Sequence, residues 1–84
     1  MFAMSAEFVE EIRIIGIVVN LTATGEVWCD GKFLGQVSRE QRFDQWFWRA
    51  VDAEKNQVKR FFTSRPEAIQ LLLLRADLIE GIGF

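Results

Sequence analysis

The feature that most constrains the fold is the dipeptide Asp30-Gly31, which separates two short apolar runs. A two-residue type I′ turn needs positive φ at both central positions, and aspartate followed by glycine adopts that conformation at low cost. The dipeptide therefore predicts a β-hairpin. Its expected cross-strand pairs are Cys29 with Lys32, Trp28 with Phe33, Val27 with Leu34 and Glu26 with Gly35. A glycine inside the second strand indicates a β-bulge or the close approach of another backbone segment.

Three other segments have β-strand character. Residues 11–21 are mostly β-branched around a central Gly16, which favours a strand; the competing interpretation is a short helix over 5–13 capped by Ser5. Residues 44–53 and 57–62 predict two further strands. The connections between these strands are expected to be a polar loop or wide turn over 38–43 and a turn over 54–56. In the 44–53 strand, the alternation places Trp46, Trp48 and Ala50 on one face and Phe47, Arg49 and Val51 on the other.

The segment Ser64-Arg65-Pro66-Glu67 predicts the start of a helix. A serine followed three residues later by glutamate forms a capping box, and proline in the first turn loses no hydrogen bond. The helix is expected to run to about Ile79, with Gly81 taking the left-handed conformation that ends it.

This predicted helix has two apolar faces. The broader one, expected to pack on the sheet, contains Ile69, Leu72, Leu73, Ala76 and Ile79. A second stripe is formed by Leu71, Leu74 and Leu78. A single sheet covers only one of these faces, so the stripe is a candidate oligomer interface, with a two-fold dimer favoured. The alternative is that apolar residues near the two chain ends fold over it, namely Phe2, Phe8, Val9, Ile82 and Phe84.

Composition bounds the remaining possibilities. The chain has 84 residues, one cysteine and no histidine. It predicts one domain over 11–84 preceded by a short arm over 1–10, and an α+β fold: an antiparallel β-meander of three to four strands packed on one C-terminal α-helix. Domains below about 70–80 residues usually need a disulfide, a metal or a partner, and this chain is only slightly longer, so a partner is favoured. We expect a cytoplasmic protein with no cofactor, no bound metal, no membrane span and no enzymatic activity.

Basic residues are concentrated in the middle of the chain, although the net charge is −2. An acidic protein is a poor general binder of nucleic acid, but a basic middle leaves nucleic acid open as a partner. The candidate contacts are Arg39, Arg42, Arg49, Lys59 and Arg60. Arginine next to Trp46, Phe47 and Trp48 suits stacking on bases and phosphate binding; the alternatives are core packing for the aromatic rings and solvated surface for the basic side chains.

One loose resemblance extends over residues 25–74. Its elements are the Trp28 strand with the Asp30-Gly31 turn, the Trp48-Arg49-Ala50 strand, and Phe61-Phe62-Thr63 leading through Pro66-Glu67-Ala68 into a helix. This pattern resembles the arm-type, or AP2-like, three-strand-plus-helix DNA-binding domains of phage and transposon integrases, and small uncharacterised bacterial proteins of the same layout. The resemblance implies a sheet face that enters the DNA major groove, with the five basic candidates as its contacts.

The sequence thus leads to two functional hypotheses. The first is a non-enzymatic interaction module that self-associates and binds another macromolecule. The second is a nucleic-acid-binding accessory protein that uses the basic middle strands. The second hypothesis expects Arg39, Arg42 and Arg49 to lie together on one open surface.

Overall fold

The computed structural model describes residues 7–80 and shows an α+β fold, in which a five-stranded antiparallel sheet packs against one helix. The strands lie side by side in chain order. They are β1 (Phe8–Ile14), β2 (Ile17–Thr22), β3 (Glu26–Cys29), β4 (Lys32–Arg42) and β5 (Gln45–Asp52), and the helix is α1 (Arg65–Arg75). The predicted meander with its C-terminal helix is confirmed, but the prediction of three to four strands was too low.

The missing strand comes from the segment predicted as a single strand over 11–21. It is a hairpin, because Ile15 and Gly16 form a turn with φ of 51° and 77°. A β-branched residue rarely adopts positive φ, so this turn has no ordinary sequence signal. β1 begins at Phe8, and the alternative helix over 5–13 is excluded for the residues described.

The Asp30-Gly31 hairpin is confirmed, with φ of 49° and 77° at its turn residues. Cys29 pairs with Lys32 and Trp28 with Phe33, as expected. The next pairs differ from the prediction, since Val27 lies opposite Gly35 and Glu26 opposite Gln36. Leu34 is therefore the extra residue of a β-bulge, and its side chain is buried.

The third hairpin corrects the polar loop predicted over 38–43. β4 continues to Arg42, and a two-residue turn at Phe43 and Asp44 leads directly into β5. After β5, the predicted strand over 57–62 is an irregular segment with two isolated bridges, Trp48 to Phe62 and Val51 to Gln57. Its backbone still bonds to β5, for example from the Val58 N–H to the Ala50 carbonyl at 2.9 Å.

The helix begins as predicted and ends earlier than predicted. The Ser64 side chain accepts a hydrogen bond from the Glu67 N–H, and the Glu67 carboxylate accepts from the Ser64 and Thr63 hydroxyls at 2.9 Å each. α1 ends at Arg75 rather than near Ile79. Gly81, the expected terminator, lies outside the described residues.

A Schellman motif ends the helix. The Leu78 N–H donates to the Leu73 carbonyl at 2.9 Å, and the Asp77 N–H donates to the Leu74 carbonyl at 3.0 Å. Asp77 takes the left-handed conformation with φ of 61°. An aspartate therefore terminates the helix in the way that was predicted for a glycine.

The core lies between one face of the sheet and the helix. Ile69, Leu72 and Leu73 of α1 are fully buried, which confirms three of the five residues predicted to face the sheet. Ala76 and Ile79 follow the end of the helix and pack half-buried against the core. The buried sheet residues opposite them include Val19, Leu21, Val27, Leu34, Val37 and Ala50. The other face of the sheet has no layer packed on it within residues 7–80.

Candidate functional site

The outer part of the β4–β5 hairpin is largely exposed. Residues 39–48 continue the two strands past the buried Val37 and Ala50, with Arg39 opposite Trp48 and Gln41 opposite Trp46. We call residues 39–48 the hairpin arm. Most of its side chains are exposed, including the tryptophan Trp46, which is 54% accessible.

At the tip of the arm, Phe43 and Asp44 form the turn. Their φ angles are 53° and 63°, the signs that a type I′ turn requires. Asparagine and glycine favour these positions, whereas a phenylalanine there is uncommon. The Phe43 ring is 90% exposed, so no contact within the described chain compensates for this backbone conformation.

The face of the arm that continues the helix-covered side of the sheet carries stacked cationic and aromatic groups. The Arg39 guanidinium carbon lies 4.7 Å from the Trp46 ring centroid and 5.9 Å from that of Trp48. Arg65, in the first turn of α1, lies 5.9 Å from the same Trp48 ring. The Arg65 guanidinium also donates to both oxygens of Glu10, and this hydrogen bonding lowers the pKa of the Glu10 carboxyl.

The opposite face of the arm holds a second cluster, centred on Glu40 and Phe61. The Glu40 carboxylate lies 2.7 Å from the Nε of Arg42 and 3.8 Å from the Nε of Arg49. Both guanidinium groups also lie over the Phe61 ring, at 5.2 Å for Arg42 and 4.3 Å for Arg49. The side chain of Arg49 is only 15% exposed, and Phe47 packs beside Phe61 at 5.7 Å between centroids.

The five predicted nucleic-acid contacts therefore do not share one surface. Arg42 and Arg49 lie together around Glu40, whereas Arg39 projects from the other face of the same hairpin. Lys59 and Arg60 are exposed on the segment beside β5, where the Arg60 guanidinium lies 5.0 Å from the Phe62 centroid.

The three leucines predicted as an oligomer interface lie at the C-terminal end of α1, and the third lies beyond it. Leu71 is half-buried against the core. Leu74 is half-buried too, and Leu78, 39% exposed, follows the Schellman motif. Leu74 and Leu78 line a shallow hollow with Ile79. Because the helix ends at Arg75, Leu78 does not continue a helical stripe.

The exposed tip residue Phe43 is not among the predicted site residues. The signal was present: residues 37–42 contain neither glycine nor proline, so nothing in them ends a strand that begins at Lys32. If that strand continues to Arg42, Phe43-Asp44 lies directly between two strands, at the position of a two-residue turn.

The open face of the sheet also carries an aromatic cluster. The rings of Phe8 and Trp28 lie 6.2 Å apart, and those of Trp28 and Phe33 lie 5.3 Å apart. The indole N–H of Trp28 donates to the Glu26 carboxylate at 3.2 Å. Its neighbour Cys29 is buried on the other side, and burial, with the charge of Asp30, raises the pKa of the thiol.

Comparison with known proteins gives no match: no family model, no curated protein and no solved structure is similar to this chain. Among residues 7–80, no helix is long and apolar enough to cross a membrane. The same residues contain no group of three or more histidine, cysteine, aspartate or glutamate side chains placed to hold a metal ion.

Proposed function

We propose that the protein is a non-enzymatic interaction module that self-associates and presents its hairpin arm to a macromolecular partner. The observation that carries the proposal is Phe43, an almost fully exposed aromatic ring at a strained turn. A non-glycine residue in the left-handed conformation costs roughly 1–2 kcal/mol. Burying a phenylalanine against a partner contributes about 1.5–3 kcal/mol, which offsets that cost only in a complex.

The residues around the tip support this proposal. Trp46 is half-exposed beside Arg39, and tryptophan and arginine are the residue types that most often dominate binding energy at interfaces. The antiparallel ladder of β4 and β5 holds them, with Arg42 opposite Gln45 as the last pair before the turn. Such a preorganised surface loses little conformational entropy when it binds.

Self-association is supported by apolar surface that residues 7–80 leave uncovered. The open sheet face carries the Phe8–Trp28–Phe33 cluster, and Leu78 lies exposed near the end of α1. An 84-residue chain with no disulfide buries a limited core, so contacts with a second copy add to its stability.

The test compares three forms of the immobilised full chain: the wild type, Phe43→Asn with Trp46→Ser, and Lys55→Asn as the control. Lys55 is an exposed turn residue with φ of 67°, so its replacement relieves a similar backbone strain without removing an aromatic ring. We expect quantitative mass spectrometry to find a partner that the wild type and the control retain equally and the arm variant loses. Equal retention by all three forms would contradict a role for the arm.

A second candidate function is nucleic-acid binding, favoured by one specific observation. Arg39 stacks on Trp46, and Arg39, Lys59 and Arg60 form no ion pair with a carboxylate of residues 7–80. Nucleotide bases stack on such platforms, and free basic groups displace the cations that are condensed on phosphates. Glu40 disfavours nucleic-acid binding, because its carboxylate already neutralises Arg42 and contacts Arg49.

A titration against labelled duplex and single-stranded DNA of random sequence, at low and physiological salt, separates the two candidates. Nucleic-acid binding predicts affinity that falls steeply with salt and falls further in Arg39→Gln. The interaction module predicts no binding even at low salt. Phe43→Asn is the matched comparison, because it changes the arm without changing its charge.

A further inference from the structure

Among residues 7–80, β1 is the strand whose outer side is unpaired along its whole length. The opposite edge, along β5, is bonded to residues 56–62 through Trp48, Ala50 and Asp52. In the part of the chain that the structure describes, no segment pairs with β1 on the side away from β2. An unpaired edge with exposed side chains is a template for another strand.

The β1–β2 turn determines which backbone groups of β1 face outward. Ile14 and Ile17 close a two-residue hairpin, so they exchange both of their hydrogen bonds with each other. Because the pattern alternates, Ile12 also bonds inward, to Val19. The N–H and C=O groups of Glu11 and Arg13 therefore point away from the sheet.

We propose that β1 pairs antiparallel with β1 of a second copy, about a two-fold axis at Ile12. The proposal rests on the self-association proposed above, and it assigns the contact to the edge of β1 rather than to the open sheet face or Leu78. It joins two five-stranded sheets into one continuous sheet, with both helices on the same side. Two pairs then form across the axis, each with Glu11 of one chain opposite Arg13 of the other.

Charge selects this register. The outward groups belong to alternate residues, so a two-fold pairing centred on this segment has three forms. One places Glu11 opposite Glu11, one places Arg13 opposite Arg13, and one places Glu11 opposite Arg13. Like charges directly opposite each other destabilise a ladder and opposite charges stabilise it. Only the third form avoids like pairs, and it makes two opposite-charge pairs.

Side chains at the two ends of the strand fit the same register. Val9 is 61% exposed and Ile15 is 64% exposed. With Ile12 on the axis, Val9 of one chain lies toward Ile15 of the other at each end of the new ladder. Within their own sheet, Glu11 lies opposite Asn20 and Arg13 opposite Val18, and neither charged residue forms an ion pair with the described residues.

The experiment reverses these charges in the full chain and measures mass against concentration by sedimentation. Glu11→Arg places two positive pairs at the interface, and Arg13→Glu places two negative pairs. We expect each single variant to raise the dimer dissociation constant by about tenfold or more, since two attractive pairs become repulsive. The double reversal restores opposite charges and should restore the wild-type constant. An equimolar mixture of the two single variants should form a heterodimer, because every facing pair is then opposite in sign.

Amide hydrogen exchange reports the same contact independently. In the dimer, the N–H groups of Glu11 and Arg13 should become protected as concentration rises, while the inward N–H of Ile12 is protected throughout. In the charge variants, the amides of residues 11 and 13 should stay unprotected at high concentration, whereas the amide of Ile12 should stay protected. Protection of Ile12 also shows that the variants fold.

Three results would overturn the inference, and they differ in what else they affect. A dimer that is unchanged by the reversals, with freely exchanging Glu11 and Arg13 amides, removes the β1 interface but leaves self-association standing. Protection of these amides in a monomer means that another segment of the same chain covers the edge. A wild type that stays monomeric at millimolar concentration, with these amides unprotected, removes self-association itself, while partner binding by the hairpin arm is decided by its own assay.

Discussion

Replacing Gly35 with alanine tests whether the close approach of β5 and α1 requires a residue without a side chain at this position of β4. Gly35 is buried and has φ of 145°, a conformation that L-residues with side chains rarely adopt. A Cβ built there would overlap the Val51 carbonyl oxygen and lie 3.0 Å from the Leu72 Cδ2 and 3.1 Å from the Asp52 Cα. Two of these three neighbours are backbone atoms of β5, which cannot move without breaking the ladder.

The size of the effect follows from two contributions. A sparsely populated backbone conformation costs about 1–3 kcal/mol. Overpacking a well-packed core costs about 1–3 kcal/mol more. The sum is about 2–6 kcal/mol, against a free energy of unfolding of about 4–13 kcal/mol expected for a chain of this length. Gly35→Ala should therefore remove a large part of the free energy of unfolding.

Urea unfolding followed by tryptophan fluorescence measures the change. The matched control is Gly31→Ala, because Gly31 also has positive φ, at 77°, but no atom lies within 4 Å of the position that an alanine methyl group would occupy there. The control should lose only about 1–2 kcal/mol, from its backbone conformation. If Gly35→Ala is no more destabilising than Gly31→Ala, the close approach of β5 and α1 to Gly35 does not limit the packing, and the reasoning is refuted.

Three further changes have expected outcomes. Phe43→Asn should raise the free energy of unfolding by about 0.5–1 kcal/mol, because asparagine adopts positive φ more readily; a loss in urea unfolding would mean that the ring stabilises the free chain. Asp77→Gly should raise it by about 1 kcal/mol, since glycine suits the Schellman position and the change removes a negative charge from the helix C-terminus; an unchanged melting temperature would contradict this. Hydrogen bonds to Asp52, first from the Asn56 N–H and then from Arg75, lower the pKa of its carboxyl, so its stabilisation is present above the unfolded pKa of about 4 and is lost as the pH falls below it. Asp52→Asn should accordingly be less stable than the wild type at pH 7, and the difference should shrink in urea titrations at pH 3.

The sequence correctly predicted the elements that depend only on residues close together in the chain. Asp30-Gly31 needs nothing beyond its own backbone preferences to form a turn, and the Ser64–Glu67 cap is complete within four residues. The apolar periodicity of α1 similarly placed Ile69 and Leu72 on the buried side. In each case the local preference and the final fold agree.

The missed elements are those in which cross-strand pairing overrides local preference. Ile15 and Phe43 each begin a two-residue turn with positive φ, although neither residue favours it. Each turn is held in place by the ladder between the two strands that it joins, and that pairing involves residues well beyond the turn itself. Asp77 is similar, because the carbonyls of the helix end hold it in a conformation that glycine adopts more easily.

The distribution of the basic residues was missed for the same reason. Once residues 38–42 belong to β4 rather than to a loop, alternation alone places Arg39 and Arg42 on opposite faces. Alternation within β5 separates Trp46 from Phe47 and Arg49 as predicted, but no strand was predicted beside them over 38–42. The prediction of a loop over 38–43 therefore allowed Arg39 to share a surface with Arg42 and Arg49, although the hairpin places it on the opposite face.

The two proposed surfaces lie at opposite edges of the sheet, and together they imply a particular kind of complex. In the β1 dimer, the two hairpin arms are separated by about eight strand spacings, or roughly 38 Å at about 4.8 Å each. A two-fold axis perpendicular to the sheet directs the two Phe43 tips in opposite directions along the strands. The arms therefore cannot close on one small partner from the same side, and each would bind its own. The dimer should consequently bridge two partner molecules, and Arg13→Glu should convert a two-to-two complex into a one-to-one complex without changing the affinity of a single arm.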